Sequence, residues 1–409
     1  MVGSLGEDSI SAVTISSTFA WLVMTFFMGI ASGSSVLSAQ EYGRKNIEKM
    51  KRLTATAIRC NMLIAFIFFF ISTFFPSEVL GLYTNHNGII QKGVEYIQYM
   101  KFAIPLYAIT SALISMLQAA KNVKLGLINT MVSCFVNAGL NYVLIFGHFG
   151  FPALGLKGAA IATLIARIAE FIVCIVYVFM IEKDICFQPK DFFGNIDRQT
   201  LKNLLKVTLP IVAIEVLGNL VSSVQTSLTG HISRYYIAAN SIVHTAWVIP
   251  STLSFGISMA AGVMIGNTIG EGIKEKVFTY ANRFVVFSFI FGIFNSVVLM
   301  FILPVIMSFY NVSTETLELT VKMGSLALIT VFFISVAQIV CNGVIKASGQ
   351  TEKLLKIDII SNWLIAIPFG YFAAFVLKVP VHYLYLILRS GNIFKSLWGI
   401  WKVRQKNWV

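Results

Sequence analysis

Eleven long apolar stretches run through this chain, and they restrict what it can fold into more than any other feature. At about 20 residues per crossing of the hydrocarbon layer, they fall at 10–40, 53–75, 94–119, 126–146, 158–181, 207–228, 237–265, 277–307, 319–345, 354–377 and 381–401. Backbone in hydrocarbon must satisfy its own N–H and C=O groups, so each stretch is expected to be an α-helix. Composition closes the alternative. With 57% hydrophobic and 12% charged residues, a soluble protein of 409 residues would lack the polar surface to cover itself.

The net charge of +13 raises the question of nucleic acid, and its placement answers it. Basic residues crowd into alternate connections: Arg44 to Arg52, Lys121 and Lys124, Lys183 to Lys206, Lys274 to Arg283, Lys346 to Lys356, and the tail after Lys402. The opposite connections carry one each, at Lys92, Lys157, Arg234, Lys322 and Lys378. This is the positive-inside distribution of a multi-pass protein of the cell (inner or plasma) membrane with a cytoplasmic C-terminus. No single basic face or RNA motif is present, so nucleic acid is not an expected partner. The five cysteines, Cys60, Cys134, Cys174, Cys186 and Cys341, are odd in number and widely spaced, which suggests neither a disulfide framework nor a zinc site. There is no phosphate-binding loop, metal motif or nucleophile elbow, so an enzyme or a primary pump is not expected.

The two halves share a register. Gly3, Ile10 and Ala12 return 227 residues later as Gly230, Ile237 and Ala239. Gly29, Ile30, Val36, Gly43 and Tyr83 return at the same offset as Gly256, Ile257, Val263, Gly270 and Tyr310. A doubled hydrophobic unit is the plan of many secondary transporters. The expected fold class is therefore an all-α polytopic membrane protein made of two pseudo-symmetric helix bundles. An N-terminal lobe of five spans covers 1–181, a polar cytoplasmic connection 182–206, and a C-terminal lobe of six spans 207–409. The helix leading into Gly230 has no counterpart before Gly3, so a parent architecture of six plus six spans, with its first helix absent here, is expected.

The stretch 137–163 resembles the junction between the fifth and sixth helices of the multidrug and toxic compound extrusion (MATE) family, through Asn137, Asn141, Gly147, Gly150, Pro152, Gly155, Gly158 and Thr163. Further matches are Gly3 and Gly6, Gly29 and Gly33, the run Gln40, Glu41, Tyr42, Gly43, then Leu209 and Pro210, Gly266 and Gly270, and Lys346 to Thr351. The resemblance spans the whole chain and implies a V-shaped central cavity open alternately to each side. It also implies export of amphipathic cationic small molecules by a monomer in membrane lipid, driven by antiport with Na⁺ or H⁺ and needing no other cofactor. Flippases for lipid-linked precursors share the superfamily and are the second reading. They would require a more cationic interior, for which only Lys101, Arg167, Arg389 and Lys395 are available.

Charged and amide side chains at membrane depth cost enough to suggest function. Glu215, five residues past Pro210, is the leading ion or substrate acceptor, unless it only packs against Asn219 or Ser222. Sodium-linked members place their helix-seven acid about one turn further on, and a second acid three turns before Lys346, where 332–338 here offers only Ser335 and Gln338. Many members carry an Asp five residues before the glycine matched by Gly3. Its repeat partner in this chain is Gln225. Asn137 and Asn141 lie four apart on one helix face and present two amides, either to Na⁺ or to a neighbouring helix. Asn141 stands where some members have Asp. Gln40 belongs to the matched run at the end of the first span. Arg167 and Glu170, three apart, are expected to pair along one face. His244 is either a proton relay or a satisfied core histidine, and Asp358 is expected to anchor a span end.

Overall fold

The computed structural model describes residues 7–194, 197–230, 232, 234–310 and 312–408, with Glu7, Asp8 and Arg234 described by backbone only. The described residues are overwhelmingly helical and include no strand. The helices are α1 (Glu7–Gly43), α2 (Ile47–Phe74), α3 (Asn87–Met100), α4 (Ala103–Ala119), α5 (Lys124–Phe146), α6 (Gly155–Val176), α7 (Arg198–Gly230), α8 (Arg234–Glu271), α9 (Lys274–Ser308), α10 (Thr314–Ala337), α11 (Thr351–Asp358) and α12 (Val381–Arg404). The helical path of α10 continues through a π-helical segment, Gln338–Ile345, and that of α11 through another, Ile359–Ala366.

The repeat read from scattered residues reappears in these boundaries. Helix starts at 47, 87 and 124 return at 274, 314 and 351, each 227 residues on, and the start at 155 returns at 381, 226 residues on. Gly3 and Gly6 themselves lie outside the described residues.

The chain divides into two compact units, Met1–Val212 and Ala213–Val409. In the first, α1 lies against α2, α3 and α4, while α6 lies against α3, α4 and α5. Its core joins Met50, Ile58, Leu113, Met116, Leu117, Leu125 and Cys174. The opening turns of α7 belong to this unit. Val207 and Ile211 pack on Val36, and α7 approaches α1 closely because Gly29 and Gly33 present no side chain to Val212 and Thr208. Asp197 starts α7 by accepting the backbone N–H groups of Gln199 and Thr200, both at 3.1 Å, and the Thr200 hydroxyl. Those bonds, Gln199 first, hold its carboxyl below the ordinary carboxylate range.

In the second unit α8 packs on α9 and α10, and α12 lies against α10 and the Ile359–Ala366 segment. Asn295, fully buried, donates to Ser254 Oγ at 2.7 Å and Ser335 Oγ at 2.9 Å, tying α9 to α8 and α10.

Nine helical stretches among the described residues are long and apolar enough to cross a membrane, or ten when α3 and α4 count as one broken span. The expected span 94–119 is thus not continuous. It breaks at Lys101 and Phe102 with a 49° bend. Pro105 has no N–H to give the Lys101 carbonyl and its ring crowds that turn, which breaks the helix where a lone apolar run looks unbroken. The eleventh expected span, 381–401, is helix α12. Its basic residues keep it from qualifying by apolarity, and Lys395 is accommodated by pairing rather than by exposure. Several helices outrun their apolar centres. At 38 residues and about 1.5 Å per residue, α8 is far longer than a hydrocarbon layer of about 30 Å.

Candidate functional site

Helix α7 carries a polar stripe at membrane depth. Glu215, Asn219, Ser222 and Thr226 follow one another by four, three and four residues, so they share one helix face, and all four are exposed. The stripe is about 16 Å long at the standard helical rise. Its neutral members turn their hydrogen bonds onto their own helix: Asn219 Nδ2 donates to the Glu215 carbonyl at 3.0 Å, Ser222 Oγ to the Gly218 carbonyl, and Thr226 Oγ1 to the Ser222 carbonyl. None of these reaches the Glu215 carboxyl. Among the described residues that carboxyl accepts no hydrogen bond and forms no close ion pair. The alternative in which Asn219 or Ser222 engages it therefore has no support in the geometry.

Glu215 nevertheless has electrostatic company inside its own unit. Its charge acts on Lys346, which follows the π-helical segment after α10, and on Lys395 of α12. Lys395 Nζ donates to Asp358 Oδ1 at 2.7 Å, and both side chains are buried. Asp358 is therefore not an interfacial anchor. A buried lysine 37 residues further along holds it inside. The Lys395 carbonyl accepts from Cys341 Sγ at 3.3 Å.

The far end of the stripe is joined to α12 by Gln225, whose Nε2 donates to the Leu388 carbonyl at 2.6 Å. Gln225 thus holds α7 against α12 beside Arg389. His244 on α8 is exposed and lies near the ring of Trp247, at 5.5 Å between centroids.

In the first unit Asn141 Nδ2 donates to Asn137 Oδ1 at 2.9 Å, and Asn137 Nδ2 donates to Thr163 Oγ1 at 3.2 Å. Thr163 Oγ1 in turn donates to the Ala159 carbonyl at 2.9 Å. The amides are therefore knitted to one another and across to α6. Asn141 Oδ1 is left buried without a partner. Arg167 and Glu170 pair at 2.7 Å, with the guanidinium over the Tyr107 ring at 5.1 Å. Gln40 is not brought to this network. It lies near the end of α1, next to the Glu41 carboxylate that pairs with Arg44 and Lys49.

The sequence reading named Glu215 but not the stripe it heads. The signal was present as polar residues at intervals of four, three and four inside the apolar stretch 207–228, a period that belongs to one helix face.

The MatE family model matches this chain twice, over residues 1–143 and 210–372, one segment in each half. "Probable multidrug resistance protein YoeA" of Bacillus subtilis (strain 168) is 26% identical over 380 residues, covering 92% of this chain and 81% of that protein. "Probable multidrug resistance protein NorM" of Thermotoga maritima is 24% identical over 377 residues, covering 90% and 79%. A solved structure described as the outward-facing conformation of a multidrug resistance MATE family transporter superposes with a TM-score of 0.88 at 15% identity, over 98% of this chain and 89% of that one. A doubled register, a membrane-embedded all-helical fold and these matches agree that the chain belongs to the MatE family of multi-pass membrane transporters and is not an enzyme.

Proposed function

We propose that this chain is a secondary multidrug efflux transporter, exporting amphipathic organic cations in exchange for Na⁺ or H⁺ by alternating access. Relatives named as multidrug resistance proteins support the substrate class. The observation that carries the coupling is the Glu215 carboxyl. It heads an exposed polar stripe at membrane depth, is unpartnered among the described residues, and stands in the field of two lysines. A proton or Na⁺ and an organic cation compete for one negative charge at such a group, and that competition is the elementary requirement of exchange. One charge crossing about 150 mV releases about 3.5 kcal/mol, enough for a gradient of about 300-fold in a neutral solute, while a monovalent cation exchanged one for one is driven by the concentration gradient of the coupling ion. Within the first unit, by itself, Asn141 Oδ1 is an unpartnered buried oxygen that could serve a hard cation, although such an ion needs several. The distribution of Lys and Arg supports a plasma-membrane chain with its C-terminus on the cytoplasmic side.

The lipid-precursor flippase reading needs cationic side chains free for an anionic cargo. Two of its four candidates are neutralised, Arg167 by Glu170 and Lys395 by Asp358, which weighs against it.

The test is ethidium efflux from liposomes containing the purified protein, under imposed Na⁺ or pH gradients. Glu215→Gln is expected to lower gradient-driven efflux by about tenfold or more, to weaken equilibrium dye binding, and to abolish the competition of Na⁺ or H⁺ with the dye. Efflux by the variant equal to that of the unaltered protein would remove Glu215 from the mechanism.

A further inference from the structure

We propose that Arg389 is the centre of a carboxylate-recognising subsite in the second unit, the residue by which this chain discriminates between cargo with and without a carboxylate. The proposal rests on the transport reading above and deepens it.

Arg389 lies eight residues into α12, about 12 Å along the helix, and is partly exposed. A guanidinium at that depth is normally held by a carboxylate, as Arg167 is held by Glu170. Among the described residues no carboxylate pairs with Arg389. Asp358 is committed to Lys395, and the charge of Glu215 acts on Lys346 and Lys395. The contacts of Arg389 are neutral. The Tyr385 ring covers one face of the guanidinium, its centroid 4.0 Å away. One Nη donates to Asn240 Oδ1 at 3.4 Å. A guanidinium has five N–H donors, so these contacts leave part of the fork unused.

The surroundings make the fork both rigid and reachable. Tyr385, the ring that covers the guanidinium, is itself buried. Gln225 grips the carbonyl of the preceding residue, Leu388. On the adjoining helix α8, Ser241, His244 and Thr245 are exposed, a polar edge suited to water and not to lipid tails. A planar guanidinium held flat against a ring, with free donors along one edge, matches a planar carboxylate in bidentate fashion. Glu215, at the other end of the α7 stripe, would take the cationic end of the same molecule, and together they select cargo carrying both charges.

The test compares rhodamine 6G, a cationic ethyl ester, with rhodamine 19, the corresponding free acid. Affinities for the full chain in nanodiscs of neutral lipid are read by fluorescence polarisation without any gradient. The expected result is binding of the acid about tenfold tighter than the ester. Arg389→Gln should bring the two affinities together while leaving that for the ester unchanged, which also shows that the variant is folded. Arg389→Lys should keep part of the preference. Equal affinities in the unaltered protein, a preference that survives Arg389→Gln, or its loss when anionic lipid is added to the nanodisc would each overturn the proposal, the last by giving the site to a lipid headgroup. Because no gradient is applied, failure of ion-coupled efflux with the acid preference intact would sink the coupling reading and leave the subsite standing.

Discussion

Lys395 Nζ lies 2.7 Å from Asp358 Oδ1, and both side chains are buried where α12 crosses the helix ending at Asp358. Removing one member of such a pair strands the other charge in a low-dielectric interior, a loss of about 3–5 kcal/mol, whereas replacing both with apolar groups is often neutral. Asp358→Asn and Lys395→Met are each expected to lower stability by about 3 kcal/mol. The double variant Asp358→Leu with Lys395→Met should recover most of that loss. Thermal unfolding in detergent, followed by tryptophan fluorescence, reads all three. If the double variant is as unstable as the singles, the pair is not an isolated packing unit and its coupling to Glu215 and Lys346 carries structural weight.

The α7 stripe makes a prediction that separates water from lipid. Ser222 and Thr226 are exposed, and leucine at either position keeps helix propensity while removing a polar surface. If the stripe lines an aqueous path, Ser222→Leu and Thr226→Leu will change stability by no more than about 0.5 kcal/mol and will cut dye efflux. If it faces hydrocarbon, leucine is favoured on insertion scales, so stability will rise and efflux will stay as it was. Melting temperature and efflux measured on the same preparations give the answer.

Gly391 explains how α12 comes close enough to place Arg389 and Lys395. A Cβ at this position would sit 2.6 Å from Asn362 Oδ1 and 2.7 Å from the Ser361 carbonyl, so even alanine forces the helix away from the π-helical segment Ile359–Ala366. Gly391→Ala is expected to cost about 1–3 kcal/mol as an overpacked contact. It should also weaken the Asp358–Lys395 pair, so its cost and that of Lys395→Met should fall short of additive. A double-mutant cycle on unfolding free energies measures the shortfall.

How much of this was legible before the structure depends on the range of the interaction. Helix positions were, because hydrophobic runs and a 227-residue register are properties of neighbours and copies. The pairing of Arg167 with Glu170 was, because three residues of helix bring two side chains to one face. Asp358 was misread because its partner is 37 residues away on another helix, and no local pattern announces that crossing. The network from Asn141 through Asn137 to Thr163 was half visible: the amide spacing was plain, but the hydroxyl that engages it comes from α6. The break at Lys101 had a local signal in Pro105, one of several prolines able to kink or end a span, but prolines are common in membrane helices and nothing local says which of them breaks one.

Lys101 at that break gives the last prediction. It is 8% exposed, and its Nζ lies 5.4 Å from the Phe102 ring centroid and 5.8 Å from that of Phe69. Among the described residues it makes no ion pair. The nearby carboxylates are engaged elsewhere, Glu95 with Lys157 at 2.6 Å and Glu170 with Arg167. Two ring contacts return about 2 kcal/mol at most, less than the several kcal/mol a buried ammonium loses with its water. Lys101→Met, which keeps the stem and drops the charge, is therefore expected to raise stability by about 1 kcal/mol or more. The bend should survive, since Pro105 causes it, whereas Pro105→Ala should straighten α3 into α4. If Lys101→Met raises the melting temperature and lowers efflux together, the lysine charge is retained for transport at the expense of stability. A lower melting temperature would show instead that the aromatic contacts outweigh desolvation.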